Sequence, residues 1–287
     1  MSPAPPQPGG AAAARRVARI GCVSFINSKP LIDSLQDLPD PQVRFDVPSG
    51  LLEDLVRGEV DIALCPVADY FRSPQPLRIV PVGGIACEGP TLTVRLFSRV
   101  PFEQITEVYA DTDSHTSVNL MRVLLDALFG LRPQVIDYNA REQVANHRVV
   151  TDPATVLLIG DKVVTAAPPA EDYPHQMDLG EAWNRLTGLP FVFAVWMARQ
   201  ETELGDLPQT LEQVRLANMQ RIDAIVERYA AVHGWEADLA TRYFREYLRF
   251  AIGPRELEAI ARFGAMGQTL GLWDAARPLV LWTPQGG

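Results

Sequence analysis

The stretch I-G-C-V-S-F-I-N-S-K-P-L, residues 20–31, decides the fold. An apolar run over residues 17–23 has the composition of a buried strand. It breaks at Ser24, passes through Asn27 and restarts as a helix around Pro30. Proline suits a first helical turn, where the N–H it lacks would find no intrahelical acceptor. A strand, a polar loop and a helix start therefore follow one another within twelve residues. Ligands of α/β proteins gather in the crevice beyond the carboxyl ends of strands. Asn27 is expected to stand there and to mark a ligand cleft.

The same alternation continues downstream. Residues 43–47 read as a strand, and Pro48-Ser49-Gly50 turns into a helix with Leu51, Leu52, Leu55 and Val56 on one face. Ser49 is its expected N-cap and Gly58 its stop. Residues 60–66 give a third strand and 67–71 a short helix, the spacing of parallel βαβ units. Residues 78–82 and 92–97 are two further strands, joined by the Gly-rich G-G-I-A-C-E-G-P, where backbone can approach a ligand closely. A strand over 107–110 leads into D-T-D-S-H-T-S-V, followed by a helix whose apolar face is Val118, Met121, Leu124, Leu125 and Leu128 and which Gly130 closes. Residues 135–138, 155–159 and 191–197 continue the strand pattern. The last is apolar throughout and must be covered on both faces. Beyond Asp206 the periodicity is helical, over 207–232, 237–250 and 254–270.

The expected architecture is α/β with two lobes. Lobe I spans 17–98 plus 199–287, its C-terminal helices packing on the first lobe, and lobe II spans 99–198. Residues 1–16, rich in Pro, Gly and Ala, form a disordered tail. A cleft between lobes is a natural pocket.

The formal charge of −9 argues against a nucleic-acid or anionic-membrane partner but leaves an anionic small molecule open. Cys22, Cys65 and Cys87 are scattered, with no C-x-x-C, which fits reduced core thiols of a cytoplasmic protein better than disulfides or structural zinc. The start lacks the basic and apolar segments of a secretory signal. No run approaches the roughly 18 apolar residues of a membrane span. His115, His147, His175 and His233 have no metal-ligand spacing, so no metal is expected. Neither G-x-G-x-x-G nor G-x-x-x-x-G-K-[ST] occurs, so neither dinucleotide nor P-loop nucleotide binding is supported.

A convincing general base is missing. Asp61, Asp111 and Asp113 sit where carboxylates cap or terminate elements. The candidate cleft is lined instead by Ser24, Asn27, Ser49, Ser114, Thr116 and Ser117. Such amides and hydroxyls bind and orient but do not take a proton at neutral pH. The crowded hydroxyls at 114–117 read either as an ordinary cap or as an anion site at the positive end of a helix. On these grounds a solute-binding module and an enzyme are equally supported.

Four motifs in order, V-S-F-I-N-S-K-P-L, G-E-V-D-I-A-L-C-P-V-A-D-Y, D-T-D-S-H-T-S-V and L-T-G-L-P-F-V-F-A-V-W, resemble the MqnA family, the chorismate dehydratases of the futalosine route to menaquinone. The resemblance runs from about Arg19 to Arg199 and more loosely to the helical end. It implies a type II periplasmic-binding-protein-like fold with a central cleft. The implied reaction is a lyase step from chorismate to 3-[(1-carboxyvinyl)oxy]benzoate and water, with the substrate's own enolpyruvyl carboxylate as base and no cofactor. It makes Asn27 the group that orients substrate or assists hydroxyl departure, and gives Thr116 and Ser117 a substrate carboxylate to hold. Ser49 and Gly89 carry over more weakly, and His115 receives no role. The sister enzyme acting on cyclic dehypoxanthine futalosine has Pro-Asn-Asp after the first strand, where this chain has Ile26-Asn27-Ser28. The expected partner is chorismate alone, for a monomer or homodimer without nucleic acid or membrane. The rival readings are a non-catalytic binding protein for an aromatic or dicarboxylate ligand and, further off, the sensory domain of a regulator.

Overall fold

The computed structural model describes residues 18–37, 42–46, 48–111, 114–138, 153–274 and 277–284. The expected tail over 1–16, Asp113 and His147 lie outside them. Strand β1 (Arg19–Cys22) is followed by a 3-10 turn (Ile26–Ser28) and a one-turn helix α1 (Lys29–Ile32), with Pro30 in its first turn as expected. Then come β2 (Gln42–Phe45), α2 (Pro48–Arg57), β3 (Ile62–Pro66), α3 (Val67–Arg72) and β4 (Leu77–Cys87). The second unit contains β5 (Val94–Ser98), β6 (Glu107–Asp111), α4 (His115–Phe129), β7 (Gln134–Tyr138), β8 (Thr155–Ile159), α5 (Lys162–Thr165), β9 (His175–Asp178) and α6 (Leu179–Thr187). Strand β10 (Phe191–Arg199) returns to the first sheet. The C-terminal part holds α7 (Leu207–Met219), α8 (Ile222–Tyr229), α9 (Ala237–Arg242), a π-helical turn (Tyr243–Tyr247), β11 (Leu248–Arg249) and α10 (Pro254–Thr269).

Two sheets result. The first has the order β11-β4-β10-β3-β1-β2 and the second β7-β6-β8-β5-β9. Strand β1 is parallel to β2 and β3, whereas β10 runs antiparallel between β3 and β4. In the second sheet β6 is parallel to β7 and β8, and β5 is antiparallel to β8 and β9. Among the described residues no helix is long and apolar enough to cross a membrane.

The expected lobe boundaries at 98/99 and 198/199 are corrected by one strand each. Strand β5 belongs to the second sheet and β10 to the first. The chain crosses before each strand, over 88–93 and 188–190, where Gly89, Leu92 and Gly188 have left-handed φ of 117°, 67° and 69°. An apolar strand pattern carries no label for the sheet that buries it, so the sequence placed the crossings after the strands.

Two local expectations also change. Helix α2 begins at Pro48, which puts Ser49 inside the first turn and not at the cap. The Gly-rich connector is largely strand, since β4 runs through Gly83 and Gly84 to Cys87. A Cβ on Gly84 would stand 2.6 Å from the carbonyl oxygen of Ala194 in the neighbouring β10. Glycine is thus needed there for close strand packing, not for a turn.

As its composition demanded, β10 is covered on both faces. Trp183 of α6, Phe191 of β10 and Phe263 of α10 meet edge to face, with centroids 5.2 to 6.2 Å apart. Such pairs add about 0.5–1.5 kcal/mol each beyond simple burial. The Trp183 indole N–H donates to the Pro190 carbonyl at 2.9 Å. The second crossing is therefore stapled to the core shared by both sheets and the C-terminal helix.

Candidate functional site

A cavity opens where the carboxyl ends of β1 and β3 face the start of α4. It holds about 640 Å³ of empty space, counting its solvent-open mouth. Its walls are largely apolar, with Val23, Phe25, Leu64, Ile85, Ile159 and Phe193 prominent. The polar lining consists of Asn27, Thr91, Thr93, Ser114, Ser117 and Tyr243.

Asn27 is set by the loop that precedes it. The fully buried Ser28 hydroxyl lies 2.8 Å from both the Val23 and the Phe25 carbonyls, which folds residues 23–28 back on themselves. Asn27 Oδ1 is buried and has no hydrogen-bond partner among the described residues. A buried acceptor left unsatisfied costs about 1–3 kcal/mol, and this one belongs to a residue that lines the cavity.

At the first crossing, the Asp178 carboxylate accepts the backbone N–H groups of Thr91 and Leu92 at 2.9 and 2.8 Å, and also those of Gly180 and Glu181. One side chain thereby caps α6 and fixes the crossing strand through the strained Leu92. Burial pushes the Asp178 carboxyl up, against the pull of those N–H donors and of Arg95. Thr91 and Thr93 are presented to the cavity as a result.

Tyr243 enters from the C-terminal π-helical turn, a geometry that recurs at functional sites. Its hydroxyl lies 2.8 Å from Thr93 Oγ1. Burial pushes the phenol up, while contacts with Thr93 and the Asn27 side chain favour its anion. It stays neutral at physiological pH.

The expected site residues divide. Asn27, Ser114 and Ser117 are brought together on the cavity wall. Ser114 caps α4, its hydroxyl oxygen accepting from the Ser117 N–H at 3.3 Å and from the Ser117 hydroxyl at 3.2 Å. Thr116 is not on the wall: its buried Oγ1 accepts the Ala68 N–H at 3.0 Å, joining α4 to α3 of the other lobe. Ser24 is exposed and Gly89 is buried, and neither is among the lining residues. The Ser49 side chain lies outside the described residues.

His115 turns to Asp69, with Nδ1 2.9 Å from Oδ1. Asp61 receives the Arg19 backbone N–H and guanidinium, and Asp111 pairs with Lys162, so both are structural carboxylates as expected. The three cysteines are buried free thiols, and burial pushes each of them up.

Thr91, Thr93, Tyr243 and the supporting Asp178 were missed by sequence reasoning. The two threonines follow the Gly-rich run directly and could have been suspected as crossing residues. Tyr243 sits in a segment that reads as an ordinary amphipathic helix and offered no signal. Among the described lining residues there is no Asp, Glu, His, Lys or Arg. Among the described residues no cluster of His, Cys, Asp and Glu could hold a metal ion. The cavity is built to bind and orient through one amide, several hydroxyls and the positive end of α4.

The family model described as menaquinone biosynthesis matches residues 18–269. The chorismate dehydratase of Thermus thermophilus is 30% identical over 247 residues, covering 80% of this chain and 89% of that enzyme. Among solved structures, a protein from Archaeoglobus fulgidus superposes with a TM-score of 0.68 at 13% identity, over 88% of this chain and 97% of that one. A Candida albicans protein described as having the generic periplasmic binding protein fold gives 0.62 at 12% identity, over 91% and 92%. The periplasmic aliphatic sulphonate binding protein SsuA from Escherichia coli gives 0.59 at 16%, over 90% and 94%. These likenesses establish the two-lobed periplasmic-binding-protein-like fold.

Proposed function

The chain belongs to the menaquinone biosynthesis family, and from that premise we propose that it is a chorismate dehydratase, a hydro-lyase that converts chorismate to 3-[(1-carboxyvinyl)oxy]benzoate and water. The observation that carries this reading is the match to the Thermus thermophilus enzyme across 89% of its length.

The cavity's chemistry supports it. Aromatisation of the ring supplies the driving force, so the protein has to align the substrate and help the hydroxyl leave. A ring proton passes to the substrate's own enolpyruvyl carboxylate, the C–H electron pair completes the aromatic ring, and the C–O bond breaks. The departing hydroxide and that proton together make the water. No protein base is required, in keeping with a lining of amide and hydroxyls.

Asn27 Oδ1, as an acceptor, receives the hydrogen of the ring hydroxyl and fixes the direction of its C–O bond. Ser114 and Ser117 hold a substrate carboxylate at the start of α4, where the helix dipole favours an anion. The apolar walls take the ring.

The test is incubation of the protein with chorismate, followed by chromatography and mass spectrometry. Loss of chorismate and appearance of an aromatic product lighter by one water is the expected result. Tight binding with chorismate recovered unchanged would make the protein a solute-binding module instead.

A further inference from the structure

Tyr243 is anchored at both ends. Its ring packs on Trp235 at a centroid distance of 4.8 Å, and the Trp235 indole N–H donates to Asp161 Oδ1 at 3.0 Å. Its hydroxyl is 2.8 Å from Thr93 Oγ1. The Asn27 side chain lines the same cavity and acts on this hydroxyl as a hydrogen-bonding group that favours its anion. Two cavity-lining groups, Asn27 from β1's loop and Thr93 from the first crossing, thus bear on the one phenol oxygen that the C-terminal segment supplies.

A hydroxyl has one proton and two acceptor positions. A phenol is the more acidic partner of a phenol–alcohol pair, so Tyr243 donates to Thr93. Among the described residues the only other partner of Thr93 Oγ1 is the Thr91 carbonyl at 3.5 Å, too long to hold its proton firmly. The Thr93 proton is therefore left to serve a ligand. The phenol oxygen, still an acceptor, takes the amide N–H side of Asn27, and Oδ1, buried and without a partner among the described residues, is left for a ligand.

We propose that Tyr243 is a positioning residue that fixes the hydrogen-bonding sense of the site, making Asn27 an acceptor and Thr93 a donor toward the bound molecule. Resting on the dehydratase reading, this lets the two groups grip the ring hydroxyl from opposite senses. Its hydrogen goes to Asn27 Oδ1, and its oxygen accepts from Thr93 as the C–O bond breaks.

The test uses Tyr243→Phe, which keeps the ring and its packing on Trp235 and removes one oxygen. Turnover of chorismate is expected to fall about 10- to 100-fold with little change in KM. In an Asn27→Ala, Thr93→Val background the same change should cost no more than about twofold, because the groups it acts through are gone. Losses that simply multiply, or wild-type turnover in Tyr243→Phe, would overturn the proposal. A second readout needs no catalysis: the Asn27 side-chain NH₂ resonance of [¹⁵N]asparagine-labelled protein, identified by its loss in Asn27→Ala. It should shift in Tyr243→Phe while the other asparagine amides stay in place, and an unmoved resonance refutes the contact. If wild-type protein leaves chorismate unchanged, the dehydratase reading fails and the amide resonance alone decides on Tyr243.

Discussion

Asp161 Oδ2 lies 2.8 Å from His233 Nδ1, so a carboxylate just beyond β8 in the second lobe is held by an imidazole of the C-terminal segment packed on the first. The Trp235 indole shares the same carboxylate. On another face of the cleft His115 and Asp69 form a second pair, in which the second lobe supplies the imidazole and the first the carboxylate. Together with the Thr116–Ala68 bond, these contacts tie the lobes together around the cavity, beyond the two covalent crossings.

If the Asp161 carboxylate is such a tie, Asp161→Ala should loosen the lobes while leaving each core intact. It strands the Trp235 N–H and the His233 ring, at a cost of about 1–3 kcal/mol. A lower Tm together with a larger radius of gyration in solution scattering is expected. A lower Tm with unchanged dimensions would make Asp161 a purely local support.

Thr116 separates a structural role from a binding one. Thr116→Val removes the acceptor for the Ala68 N–H inside the α3–α4 contact and should destabilise by about 1–3 kcal/mol. Chorismate KM should hardly move. Ser114→Ala and Ser117→Ala act on the cavity wall and should raise KM with a smaller loss of Tm. Steady-state kinetics beside thermal melts distinguish the two groups, and a KM rise in Thr116→Val would return it to the site.

Asp178 gives a pH dependence whose sign can be worked out. Burial raises its folded-state pKa above the unfolded value. Its contribution to stability is therefore fully present below the unfolded pKa, about 3.9, and is lost as pH rises through the folded pKa. The stability advantage of wild type over Asp178→Asn should be larger near pH 4 than near pH 7. Melts of both proteins across that range measure it. An advantage that grows with pH would mean that the N–H bonds from Thr91, Leu92, Gly180 and Glu181 outweigh burial.

Local signals carried the fold a long way and stopped at the cavity's far side. Asn27 and the Ser114–Ser117 cap were legible because each lies where a strand end meets a helix start, a junction that leaves a mark in sequence. The sheet to which β5 and β10 belong was not legible, since apolar alternation encodes burial and not partner. Nor was Tyr243: its place depends on a π-helical turn and on contacts with Trp235 and Thr93, distant in sequence. Thr116 misled for a related reason. Its hydroxyl stands in the right motif, but the packing of α3 against α4 turns it away from the cavity.

Asn27 offers the sharpest separation of stability from function. Its Oδ1 is buried without a partner among the described residues, so the group is a cost to folding that a bound ligand would offset. Asn27→Ala removes that acceptor from a wall that is otherwise largely apolar. The loss of side-chain packing is small, and the unsatisfied oxygen goes with it. Tm should stay within about two degrees of wild type or rise, the pattern of a site held at the expense of stability. Turnover of chorismate should fall by about 100-fold, the scale of removing one preorganised hydrogen-bonding group. Thermal melts and single-turnover kinetics on the same preparation test both halves. A large fall in Tm would show that Asn27 supports the β1 loop, and an unchanged rate would remove it from the reaction.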